Sequence, residues 1–135
     1  MNTPTVEDYL ETVYKLTRSK GYAKVVDISE RLNVRPPTVT SMIQKLDKKG
    51  FIKYEKYREI SLTEAGEKVA KQVSDTHSKI MKFLTMIGVD EKTAYADTEG
   101  IEHHVHPSTI RKIDSLVLFA EKNPKWVKRL KRFTK

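Results

Sequence analysis

Residues 26–62 read VDISERLNVRPPTVTSMIQKLDKKGFIKYEKYREISL, and the fold turns on how this stretch is parsed. Val26 to Leu32 is one short helix, with Ile28 and Leu32 facing inward. Asn33-Val34-Arg35 breaks it. Pro36-Pro37 then opens a second helix, where a missing N–H costs nothing, and Val39, Met42, Ile43 and Leu46 recur at helical spacing. Lys48-Lys49-Gly50 closes that helix with bases at the negative end of its dipole and glycine as the C-cap. From Phe51 the period falls to two. Ile52, Tyr54, Ile60 and Leu62 alternate with Lys53, Glu55 and Ser61, around a Lys56-Tyr57-Arg58-Glu59 loop, the pattern of a β-hairpin. Two helices joined by a tight break, then a hairpin, make a winged helix-turn-helix.

In that motif the second helix enters the major groove with its N-terminal residues at base edges. Those positions are Arg35, Pro36, Pro37, Thr38, Thr40, Ser41 and Gln44, with Lys45 and Lys48 set for phosphates. Hydroxyls serve a base or a phosphate, Gln pairs with adenine, and a Thr methyl meets thymine. Lys53, Lys56, Tyr57 and Arg58 of the hairpin would track the backbone.

The charge distribution agrees. The 135 residues carry 26 Lys+Arg against 18 Asp+Glu, a net +8. The excess is confined to two places: residues 31–58, with eight bases and two acids, and residues 122–135, with seven bases and no acid. A basic block that coincides with a DNA-reading motif is an electrostatic footprint for duplex DNA. Cysteine is absent, which excludes disulfide scaffolds, thiolate zinc sites, iron–sulfur clusters and Cys nucleophiles. No apolar run reaches the length of a membrane span, and the N-terminus lacks the pattern of a signal peptide. A cytoplasmic protein with no membrane partner is expected.

Outside the motif the chain reads as helices. The first starts after Thr3, with Pro4 at its first position, carries Val6, Tyr9, Leu10, Val13 and Leu16, and stops at Gly21. Thr63 caps a fourth helix to Ile87, with Val69, Val73, Ile80, Phe83, Leu84 and Ile87 on its apolar side. Asp90 caps a fifth reaching His104. A sixth follows Pro107, with Ile110, Ile113, Leu116, Val117 and Phe119 inward, and Asn123-Pro124 starts a basic seventh to about Phe133. The expected fold is mainly α with one small β-hairpin. A winged helix-turn-helix DNA-binding domain over 1–71 precedes a helical metal-binding and dimerisation domain over 72–135.

The fifth helix holds a constellation with chemistry of its own. Glu99, Glu102 and His103 stand at i, i+3 and i+4, so all three share a face. Two carboxylates at that spacing repel, and a divalent cation inverts the cost. The spacing approaches H-x-x-E-H metalloprotease motifs, but Glu replaces the first His and no separate base is evident. Asp8 and Glu11 make a second acidic pair on the first helix, and His77 lies midway along the fourth.

The order of elements, the acidic first helix, the winged motif and the string Glu99-Gly100-Ile101-Glu102-His103-His104 resemble the manganese-responsive branch of the diphtheria toxin repressor family. The likeness runs along essentially the whole chain, and is most specific at Tyr54–Arg58, Leu84–Asp90 and Glu99–His104. It implies a metal site built from an Asp and a Glu on the first helix, a His on the fourth and Glu-x-x-Glu-His on the fifth. Asp8, Glu11, His77, Glu99, Glu102 and His103 fill those positions, with the Glu99 backbone carbonyl as a further ligand. Iron-responsive relatives have Met and Cys where this chain has Asp8 and Glu99. By the same resemblance the cofactor is Mn²⁺, two ions per subunit. Oxygen-rich coordination without sulfur suits that hard ion.

The expected protein is therefore a manganese-activated repressor of manganese uptake genes. It acts as a homodimer on a palindromic operator, without enzymatic activity and without a small organic ligand. The apolar surplus of the fourth to sixth helices is the expected dimer interface. Two other classes fit parts of the pattern: a metalloenzyme or metal buffer, and a metal-independent winged-helix regulator.

Overall fold

A computed structural model of the chain describes residues 2–55 and 59–134. They form two compact units, 1–73 and 74–135.

The first unit runs α1 (Pro4–Lys20), α2 (Val25–Leu32), α3 (Pro36–Lys48), β1 (Ile52–Tyr54), β2 (Ile60–Leu62) and the start of α4 (Glu64–Met86). Local chemistry sets each boundary. Thr3 accepts from the Val6 amide at 3.2 Å to cap α1, and Gly21 ends it at φ 86°, a left-handed conformation that glycine adopts without steric cost. Asn33 ends α2 at φ 54°, and the Ser29 hydroxyl donates to the Val34 carbonyl across the turn. Asn tolerates this region better than most residues. Pro36 then opens α3. Its C-cap is Lys49 rather than the expected glycine, and Gly50 takes the left-handed conformation one residue later.

Leu10, Val13, Ile28, Val39, Ile43, Leu46, Ile52 and Ile60 pack into one buried core. At about 1.5–3 kcal/mol for each fully buried aliphatic side chain, this core fixes the orientation of α3. The hairpin is antiparallel, with Ile52 opposite Leu62 and Tyr54 opposite Ile60. The Ile60 amide also donates to the Ala23 carbonyl at 2.9 Å, so the α1–α2 link adds a bridge to the sheet.

The base of the hairpin is locked to α4. The Thr63 hydroxyl donates to the Gly50 carbonyl at 2.6 Å and accepts from the Gly66 amide at 3.2 Å. Gly66 is buried, and a Cβ there would stand 2.0 Å from the Phe51 carbonyl oxygen.

In the second unit, α4 continues to Met86 and is followed by α5 (Glu91–Ile101), α6 (Pro107–Lys122) and α7 (Pro124–Phe133). Asp90 caps α5 by accepting from the Thr93 amide at 3.0 Å, a bond that holds its carboxyl below the ordinary range. The fifth helix ends at Ile101, not at His104. The Glu102 amide still reaches the Thr98 carbonyl, but the His104 amide closes a tighter turn onto Ile101. Further on, the residue before a proline is pushed out of the helical region, and His106 sits extended as the N-cap of α6, accepting from the Ser108 amide at 3.1 Å.

On α6 the buried face is Ile110, Val117 and Ala120, with Ile113 half-buried. Leu116 and Phe119, expected inward, are 38% and 50% exposed. They flank the i, i+3, i+7 stripe instead of lying on it. Phe119 meets Trp126 of α7 edge-to-face at 5.5 Å. Among the described residues no helix is long and apolar enough to cross a membrane.

Gly66→Ala is expected to destabilise the first unit by about 1–3 kcal/mol, because its methyl group would displace the Phe51 backbone at the root of the hairpin. Urea denaturation of the variant against the parent checks this. A midpoint shift no larger than that of Gly100→Ala, where a Cβ meets open space, would contradict it.

Candidate metal centre and nucleic-acid interface

In the second unit, α4 and α5 bring His77, Glu99 and Glu102 together. His77 Nδ1 lies 2.5 Å from Glu102 Oε2 and 3.5 Å from Glu99 Oε1. A donor atom from each lies within 4.8 Å of the others. Glu102 is the most enclosed of the three, its side chain having no solvent exposure, while His77 keeps 13% and Glu99 40%. His103 stands on the other side of Glu102, its Nε2 3.5 Å from Oε1. The turn after Ile101 therefore still places Glu102 beside Glu99 and His103 beside Glu102, although neither Glu102 nor His103 belongs to the regular helix.

The electrostatics of this cluster favour a cation. Taking a carboxylate out of water costs several kcal/mol unless it is paired and hydrogen-bonded. Glu102 Oε1 is buried and has no hydrogen-bond partner among the described residues. Two carboxylates converge on one imidazole, and a second imidazole lies alongside. Neutral imidazole nitrogens and carboxylate oxygens are ligands for a divalent first-row metal, so the donor set fits such an ion, as the family resemblance implies.

Asp8 and Glu11 belong to the first unit. They lie three residues apart on α1, Asp8 half-buried and Glu11 5% exposed, with Lys15 Nζ 3.4 Å from Glu11 Oε2. One contributor escaped sequence reasoning: Tyr95, whose ring meets His77 edge-on at 5.4 Å and helps to hold the imidazole plane. Its spacing of four residues before Glu99 was the available signal.

In the first unit, Arg35, Pro36, Pro37, Thr38, Ser41, Gln44, Lys45 and Lys48 are exposed on the outer side of α3, and Thr40 is half-buried at its edge. Opposite them, Val39, Ile43 and Leu46 are buried. Lys53 is exposed on β1, alternating with buried Ile52. None of Arg35, Lys45, Lys48 and Lys53 is held in an ion pair with a described residue, so these charges are available to phosphate. Lys56, Tyr57 and Arg58 lie outside the described residues.

Comparison with known proteins gives the same two-part division of labour. The family model described as the N-terminal DNA binding domain of the iron dependent repressor matches residues 1–60. The model for the iron dependent repressor metal binding and dimerisation domain matches residues 63–130. A protein named HTH-type transcriptional regulator MntR from Lysinibacillus sphaericus is 51% identical over 130 residues, covering 96% of this chain and 94% of its own. Its namesake from Bacillus subtilis strain 168 is 47% identical over 135 residues, covering 100% and 95%.

Among solved structures, the metal-dependent transcriptional regulator MtsR superposes with a TM-score of 0.78 at 26% identity, over 87% of this chain. IdeR of T. acidophilum gives 0.73 at 28% identity, over 84%. The chain spans about half the length of each, 55% and 54%. A metalloenzyme is excluded, since both halves match repressor domains and the two relatives near half identity are named transcriptional regulators. With both halves matched and two relatives near half identity along their whole length, the chain belongs to the iron dependent repressor family, that of the diphtheria toxin repressor, as a metal-dependent, DNA-binding transcriptional regulator.

Proposed function

We propose that this regulator is activated by Mn²⁺ and represses manganese uptake genes in the cytoplasm. The observation that carries the reading is the convergence of Glu99 and Glu102 on His77, with a buried carboxylate oxygen lacking a hydrogen-bond donor. The relatives named MntR and the sulfur-free donor set support manganese over softer metals.

In this reading Asp8 and Glu11 of α1 join His77, Glu99, Glu102 and His103 to hold two Mn²⁺ ions per subunit, and the Glu99 backbone carbonyl adds a ligand. The ions supply positive charge that offsets four carboxylates. Because the donors come from both units, metal links the reading head to the dimerisation half. Without it, repulsion among the acids lets the heads of a homodimer sample many separations. With it, the population narrows to the spacing of a palindromic operator, whose half-sites lie about 34 Å apart or a multiple of that. Arg35, Pro36, Pro37, Thr38, Thr40, Ser41 and Gln44 would then meet base edges. Lys45, Lys48 and Lys53, with Lys56, Tyr57 and Arg58, would meet the backbone. Linkage requires DNA to tighten metal binding by the factor that metal tightens DNA binding.

The test is DNA-binding anisotropy against a palindromic duplex library, with Mn²⁺ and with chelator. Selection of a palindrome in Mn²⁺ alone is expected; equal binding in chelator would remove metal activation. In the same assay, His77→Ala should weaken Mn²⁺-dependent binding at least about tenfold, the usual effect of disturbing a metal shell. Its metal-free helicity and dimer should stay near those of the parent. Full manganese activation in this variant would take His77 out of the site.

Selectivity is tested separately. Asp8→Met with Glu99→Cys replaces two hard oxygen donors by sulfur, so activation should move from Mn²⁺ towards Fe²⁺ or Zn²⁺. Unchanged metal preference would show that these two residues do not set it.

A further inference from the structure

α7 carries an unclaimed charge pattern. Lys125, Lys128, Arg129 and Arg132 recur at i, i+3, i+4 and i+7, and at about 100° per residue they fall within roughly 100° of arc. All four are exposed, and none is engaged in an ion pair or side-chain hydrogen bond with a described residue. The opposite side of the helix is Trp126, Val127 and Leu130, all half-buried, with Trp126 against Phe119 of α6. Residues 122–135 contain no acid at all. α7 is thus fastened to α6 by its apolar side and presents a stripe of cations about 10 Å long, given a rise of about 1.5 Å per residue.

We propose that this stripe is a second, sequence-independent contact for duplex DNA, binding phosphates away from the helix that reads bases. The inference rests on the DNA-binding reading above. An interfacial membrane helix would need a broad apolar side free to enter the lipid, but here Trp126, Val127 and Leu130 are half-buried, with Trp126 against Phe119 of α6, and Phe133 is the one large apolar side chain of α7 left exposed. What remains is a surface of fixed positive charge, suited to a polyanion. Duplex DNA presents one phosphate per about 3.4 Å of rise on each strand, so a stripe of this length spans several of them. Phosphate contacts add affinity and position without sequence information. The stripe would therefore hold the regulator on DNA while leaving operator choice to α3.

The test compares the full chain with the joint variant Lys125→Gln, Lys128→Gln, Arg129→Gln and Arg132→Gln. Both are titrated in Mn²⁺ onto labelled operator and onto a duplex of random sequence, at roughly 50 to 200 mM salt. Each lost phosphate contact reduces the slope of log K against log salt by about 0.9. The variant's slope should accordingly fall by about 2 or more, equally on both duplexes. Circular dichroism and Mn²⁺ affinity report whether it folds. If it does not, the single changes Lys128→Gln and Arg132→Gln, each expected to lower the slope by about 0.9, carry the test.

Unchanged slopes would overturn the proposal. So would unchanged slopes accompanied by lost co-sedimentation with phosphatidylglycerol vesicles, which would assign the stripe to lipid. Lys45→Gln with Lys48→Gln separates the two readings. If that pair weakens operator binding while the α7 variant does not, only the present inference fails. If the parent binds neither duplex, both fail.

Discussion

Glu102 is a carboxylate enclosed by protein, pressed against one imidazole and beside another, with one oxygen lacking a hydrogen-bond donor. A protein that only needed stability would gain by replacing it with an apolar side chain of similar volume, since buried ion pairs often cost more than they return. Its presence leaves the second unit with a buried carboxylate oxygen that a cation would satisfy. Metal binding becomes a source of conformational free energy, because only a ligand with different affinity for two states can shift the balance between them.

The first unit is built on the opposite principle. Its core is almost wholly aliphatic, running from Val6 through Ile43 to Ile60, and its helices end in caps that satisfy local backbone groups. The Thr63 hydroxyl bridges the α3–β1 turn and the start of α4, and Gly66 allows the hairpin base to sit at backbone contact distance. A rigid head is what sequence reading requires. The basic side chains of α3 would reach DNA in a fixed arrangement only because Val39, Ile43 and Leu46 hold the opposite side of the same helix in place.

Much of this was legible in the sequence, because its decisive signals are local. Thr3-Pro4, Asn33 and Asp90 mark helix boundaries through capping chemistry that acts within three or four residues. The change of period at Phe51 announces the hairpin by the same kind of short-range rule. Glu99, Glu102 and His103 were readable as neighbours for that reason too. His77 was not: Glu102 lies 25 residues away from it, and no periodicity encodes that pairing, so only the family resemblance pointed to it. The misplaced end of α5 and the exposed Leu116 and Phe119 have a related origin. Apolar identity shows that a side chain favours burial but not which edge of a helix its neighbours cover, and residues 102–104 look helical by themselves although the chain there closes a tighter turn.

Charge alone does not make a metal-activated reader. Every bound dication adds two positive charges to a chain already at +8, which strengthens its attraction to any duplex. That term is blind to sequence, as is any phosphate contact from α7, because the phosphate backbone is the same at operator and elsewhere. A regulator activated only by added charge would bind the whole genome more tightly and discriminate no better. In the proposed reading, discrimination would come from the α3 side chains at base edges, and across a dimer it would grow only when both heads reach their half-sites together. In that reading metal would therefore act on the spacing of the heads. This is why donors shared between α1 of the reading head and α4–α5 of the dimerisation half would suit the task better than an equally tight site enclosed within either unit.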